Sequence, residues 1–139
     1  MAESTPIEAV RVPGDRRAQS AYSAAVRAGG FLFVSGLGPL DLQARVVGEG
    51  IHEQAHETMR NLVTVLKAGG ASIGELASLR VYLADMEHYA AFNSVYEEYV
   101  RAPYPARICI GAGALWEGVL VEIEAIAYLS DQPSPPGDE

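Results

Sequence analysis

The chain has 139 residues, 49% of them hydrophobic and 20% charged, with a formal net charge of −8. That length holds one modest core, and the balance is that of a globular domain rather than a fibrous or disordered chain. The acidic surplus speaks against a nucleic-acid partner, no apolar run approaches the ~18 residues of a membrane span, and a single cysteine excludes an intrachain disulfide and points to a reducing cytoplasm.

After a loose N-terminal arm without the apolar core of a secretory signal, AYSAAVRAGGFLFVSG reads as two strands joined at Gly29-Gly30, a hairpin signal. FLFVS is apolar on both strand faces. GLGPLDLQARVVGEG is Gly-rich punctuation around a third strand expected at 44–47. From Ile51 to about Ala68 the pattern turns helical, with Ile51, Ala55, Met59, Leu62, Val63 and Leu66 on one stripe and Gly69-Gly70 as the stop. A strand centred on 79–84 follows, then a second helix over MEHYAAFNSVYEEYV with Tyr89, Phe92, Val95, Tyr96 and Tyr99 as its stripe. The prolines of RAPYPA end that helix, and strands are expected at 107–111 and 119–128. The tail, 130–139, is polar, acidic and Pro-rich and is expected to be disordered, leaving 1–129 as a single domain.

This order predicts an α+β fold, with two helices on one face of a sheet of about six strands. Two helices cover only one face, yet several strands are apolar on both. A second copy of the chain is the economical cover, so a homo-oligomer is expected.

Two polar patterns compete for a functional reading. HEQAH at 52–56 fits H-E-x-x-H, which offers two imidazoles to zinc and a glutamate to its water. A catalytic zinc needs a third protein ligand. The only other histidine is His88, no third-ligand spacing follows, and the flanks of the motif look solvated, so it reads as an exposed helix face and no metal is expected. The second pattern interrupts the last strands. In ARICIG, Arg107 and Cys109 alternate onto one face; in VEIEAIA, Glu122 and Glu124 sit together on a strand otherwise apolar. Buried carboxylates need partners, and Arg107 is the natural one. Either this is a structural Arg–Glu pair, or it is a cleft in which Arg107 forks a ligand carboxylate and a glutamate handles a proton. Cys109 lacks a neighbouring base and is expected to line the site without acting as a nucleophile.

YPARICIGAGALWEGVLVEIEAIA, with FVSGLGP upstream and FNSVYEEY between, resembles the RidA/YjgF family of reactive intermediate imine deaminases, from about Ala21 to Leu129. The resemblance implies a chorismate-mutase-like fold assembled as a homotrimer with active sites between subunits. It implies cofactor-free hydrolysis of 2-imino or enamine acids, such as 2-aminoacrylate/2-iminopropanoate and 2-iminobutanoate, to a 2-keto acid and ammonia. By position, Arg107 matches the arginine that holds the substrate carboxylate and Glu122 the glutamate that positions water. Tyr22, Ser35, Gly36, Asn93 and Cys109 match residues that line the cleft, and Glu124 looks structural. The chain departs from the family pattern at Leu37, Ile108 and Trp116, which bear on substrate choice more than on fold. Other readings are a non-catalytic trimer that binds small 2-keto acids or acts as a chaperone, and a deaminase dedicated to a larger enamine. A ribonuclease or translation inhibitor is disfavoured by 10 Lys+Arg against 18 Asp+Glu.

Overall fold

The computed structural model describes residues 6–17 and 21–130; of the acidic tail, 131–139 lie outside the described residues. Six strands and two helices follow one another as β1 (Glu8–Val10), β2 (Ala25–Ala28), β3 (Phe31–Leu37), α1 (Ile51–Ala68), β4 (Leu76–Leu83), α2 (Tyr89–Tyr99), β5 (Ala106–Gly111) and β6 (Val121–Tyr128). They form one mixed sheet in the order β1-β2-β3-β6-β4-β5, antiparallel except for β4 against β5.

Local chemistry accounts for most boundaries. Gly29 and Gly30 take φ values of 59° and 84°, the left-handed pair that a two-residue hairpin turn demands. α1 stops at Gly69, where the backbone lies so close to β3 that a Cβ would meet the Leu32 side chain at 2.6 Å. Ser72 and Glu75 form a capping box on the short 3-10 turn that leads into β4.

The sheet has one dry face. Leu32 and Val34 of β3, Leu79, Val81 and Leu83 of β4, and the alternate β6 residues Val121, Ile123, Ala125 and Ala127 are buried against α1 and α2. The opposite face carries Phe31, Phe33, Ile108, Ile110 and Tyr128, between 39% and 53% exposed, with Phe31 and Tyr128 in edge contact at 5.8 Å.

Three details differ from the sequence reading. Part of the N-terminal arm is a strand, β1, at the sheet edge. The strand expected at 44–47 is reduced to one bridge, Leu40 to Val46, because the Asp41 carboxylate accepts from the backbone N–H of Gln43 and Arg45 and folds the segment into a turn. The stripe of α1 is also rotated: Val63 is 39% exposed, while Gln54, Thr58 and Asn61 are buried with the apolar residues.

Candidate functional site: two half-clefts on opposite faces

The first half-cleft lies where β3 meets β6. Their register slips between Val34, opposite Ala125, and Leu37, opposite Ile123, so Ser35 and Gly36 form a bulge opposite the single residue Glu124. The bulge places Gly36 under the Glu122 carboxylate: a Cβ there would stand 2.6 Å from Oε2. Ser35 Oγ donates to the Ser23 carbonyl at 2.5 Å, and Tyr22 Oη donates to the Arg17 carbonyl at 2.6 Å. Arg17 is gripped in turn by Asp15, with Nε to Oδ1 at 2.6 Å and Nη2 to Oδ2 at 2.5 Å. These groups enclose a cavity of about 420 Å³ whose walls include Tyr22, Ser35, Gly36, Leu37, Trp116 and Glu122. A second cavity of about 720 Å³ shares Gly36, Trp116 and Glu122 with the first and adds Tyr82, Glu117 and Glu124. Glu122 therefore stands between the two. Burial, and after it the charge on Glu124, pushes the Glu122 carboxyl above the usual carboxylate range.

The second half-cleft lies on the helix side. In the parallel β4–β5 register, Arg107 and Cys109 sit beside Leu79 and Val81, so they share the dry face, while Ile108 and Ile110 take the open one. Arg107 Nη2 donates to Tyr89 Oη at 3.0 Å, and the guanidinium carbon stands 4.6 Å from the centre of the Tyr96 ring. Arg107 Nη1 is buried with no partner among the described residues. Burial raises the Cys109 thiol above its usual value, against the opposing charge of Arg107, so the thiolate a nucleophile needs is disfavoured. Asn93 is half-buried on α2, four residues after Tyr89 and three before Tyr96, on the flank that meets Arg107.

Of the seven site residues expected from sequence, the chain thus gathers Tyr22, Ser35, Gly36 and Glu122 in one place and Arg107, Cys109 and Asn93 in another. Neither cavity is lined by any of the latter three. The expected pairing of Arg107 with a glutamate does not occur within a chain, since β4 separates β5 from β6 and the side chains leave opposite faces. Glu124 is met instead by Tyr82, whose hydroxyl donates to Oε1 at 2.5 Å, and by Arg80 Nη1 at 3.8 Å from Oε2. Sequence alone does not mark Tyr82, Tyr89 or Tyr96 as site residues: the two on α2 belong to its apolar stripe, and Tyr82 becomes visible only once the register is known.

The HEQAH segment opens α1. The His52 and His56 rings meet edge to face, 4.8 Å between centres, and His56 Nδ1 lies 3.0 Å from Tyr99 Oη. No group of three or more metal-ligating side chains is gathered among the described residues.

The α+β sheet thus carries an acidic cleft at a β-bulge on one side and an arginine clasped by tyrosines on the other. The family model described as Endoribonuclease L-PSP matches residues 14–129, and the chain belongs to that family, the RidA/YjgF proteins. It is 40% identical over 108 residues to a RutC family protein of Pyrococcus horikoshii, covering 77% of this chain and 86% of that one. The crystal structure of yeast Mmf1 superposes with a TM-score of 0.83 at 33% identity, over 88% of this chain and 98% of that one. The structure of Escherichia coli TdcF with bound serine superposes with a TM-score of 0.79 at 27% identity, over 87% and 98%. The fold is the α+β fold of these proteins.

Proposed function

We propose that the chain is a cofactor-independent deaminase of small 2-imino and enamine acids, working as a homotrimer in which Arg107 of one copy faces Glu122 of the next. The observation that carries this reading is the pair of half-clefts: a guanidinium with one buried, unpartnered nitrogen on one face, and a carboxyl whose pKa is raised by burial on the other. The exposed apolar face supports self-association, because patches of that kind mark interfaces.

The chemistry needs little more. An imine protonated on nitrogen is already electrophilic at C2. Arg107, with Tyr89 and Tyr96 fixing its plane, anchors the carboxylate through a two-pronged ion pair. Glu122 takes a proton from water as the new C–O bond forms and returns it to nitrogen; as the C–N bond breaks the carbinol hydroxyl gives up its proton in turn, leaving a 2-keto acid and ammonium. Tyr22, Ser35, Asn93 and Cys109 shape the walls. The substrate class proposed is 2-aminoacrylate/2-iminopropanoate and 2-iminobutanoate, in a reducing cytoplasm; the name of yeast MMF1 places that relative in mitochondria. A competing reading, a trimer that binds a small amino or keto acid without turnover, is favoured by the serine bound to TdcF.

The test generates imines with an amino-acid oxidase and traps them with semicarbazide, which a deaminase outruns. The protein should lower the semicarbazone signal. Arg107→Ala should lose about 2–5 kcal/mol of transition-state binding, roughly 30- to 4000-fold in kcat/KM. Arg107→Ala and Glu122→Ala, refolded together, should regain about a quarter of wild-type activity, because a random ring places an intact arginine beside an intact glutamate at that frequency. No signal change with the wild-type protein sinks the deaminase reading, and no regain on mixing sinks the shared site.

A further inference from the structure

We propose that Glu124 is a positioning residue for Glu122: pinned on the β4 side by Tyr82 and Arg80, its charge keeps the Glu122 carboxyl off that side and turned toward β3, over Gly36, into the cleft. The inference deepens the deaminase reading and rests on it for its kinetic consequence. Glu122 and Glu124 leave the same face of β6 two residues apart, about 7 Å along the strand. Left to itself, such a pair is adaptable, since either carboxylate can swing toward a cation or solvent. Here Glu124 is not free to swing. Its two oxygens are engaged by different β4 side chains, Oε1 by the Tyr82 hydroxyl at 2.5 Å and Oε2 by Arg80 Nη1 at 3.8 Å.

Register explains why. Arg80 is directly opposite Glu124 and Tyr82 directly opposite Glu122, so the tyrosine reaches diagonally past Glu122 to the further carboxylate. Glu122 is thereby denied the Tyr82 hydroxyl, and a fixed negative charge occupies the β4 side of β6. The β3 side is open because β3 bulges opposite Glu124 and residue 36 has no side chain.

The remaining charged or titratable groups around the two cavities are Glu117, Tyr82, Asp15, Arg17 and Tyr22. Asp15 and Arg17 neutralise each other. Hydrogen bonding to Glu124, then burial, pushes the Tyr82 hydroxyl above its usual value, so it remains a donor throughout the working range. After burial, the charge on Glu124 raises the Glu122 carboxyl.

Removing the charge of Glu124 therefore lets Glu122 ionise more easily. Because a general base works only when ionised, the acid limb of kcat/KM should move to lower pH in Glu124→Gln. Its plateau should fall by about tenfold or more as Glu122 loses its aim, with KM little changed because Arg107 still holds the carboxylate. Glu124→Asp should restore the limb, and Glu117→Gln should leave it alone. The decisive measurement needs no turnover: the titration of the Glu122 carboxyl carbon by NMR in wild type, Glu124→Gln, Tyr82→Phe and Glu117→Gln. A midpoint that moves down in Glu124→Gln and not in Glu117→Gln supports the inference, even if the wild type deaminates nothing and the functional reading falls alone. An unmoved or raised midpoint in Glu124→Gln overturns it.

Discussion

A methyl group at position 36 would enter the space held by Glu122 Oε2, 2.6 Å away, and the far end of a glutamate gives way easily. Gly36→Ala should therefore fold normally and misplace the carboxyl, costing on the order of 10²-fold in kcat/KM for a shift near 1 Å. A thermal melt alongside the kinetics separates the two effects; a large drop in Tm would contradict this. Asp15 yields a pH-dependent counterpart. Burial would raise its carboxyl, but hydrogen bonds and charge from Arg17 outweigh that and hold it below its ordinary value of 3.8. An acid with a lowered folded pKa contributes stability above the unfolded pKa and loses it as pH falls through the folded one. Asp15→Asn should thus lower Tm at pH 7 and converge with wild type toward pH 2–3, as melts across that range would report. At this scale the sequence was legible in residue types and illegible in neighbourhood. Arg107 and Glu122 stand out as polar interruptions of apolar strands, but their strands are consecutive in the chain and not in the sheet. With β4 inserted between them and β5 parallel to it, two residues that look like partners face apart.

Helix α1 was recognisable from its period, while the identity of its buried face was not, because polar residues there serve as connectors. Gln54, 1% exposed, donates through Nε2 to the carbonyls of Gly48 at 3.0 Å and Gly118 at 2.8 Å, and its Oε1 accepts from Leu120 N–H at 2.8 Å. Asn61 does similar work on Gly38 and Leu40. These two side chains tie α1 to the loops that carry the bulge and lead into β6. The middle of HEQAH is thus the consequential part of that motif. Gln54→Ala leaves three backbone groups without partners and should cost about 2–4 kcal/mol in urea unfolding. His52→Ala, on the exposed side, should stay within about 0.5 kcal/mol. Equal effects would refute the assignment. The turn at Asp41 is the converse case. Its β-branched valines suggested a strand, and a carboxylate with two backbone donors in reach decided otherwise.

The whole molecule presents a sheet finished on one face and unfinished on the other. The predicted element order and the apolar pattern of the strands point to that asymmetry: two helices are too few to cover a sheet whose strands are apolar on both sides. A charge on the bare face, here at its β5 edge, should be nearly harmless to the isolated chain and ruinous to assembly. Ile110→Asp is accordingly expected to sediment as a monomer with wild-type secondary structure and to lose activity with its neighbour's half-cleft. A variant that stays assembled and active would show that this face is not the contact.

The parallel pairing of β5 has a consequence for the order in which the protein loosens. β5 has one neighbour, β4, and reaches it only through the intervening helix α2, whereas β3, β4 and β6 are each paired on both sides. Its amides should be the first of the central sheet to exchange with deuterated solvent, opening without global unfolding. Arg107 rides on that strand, so an anion held by its guanidinium would lend protection where the sheet is weakest, and occupancy would be read in the exchange of β5 before any change elsewhere.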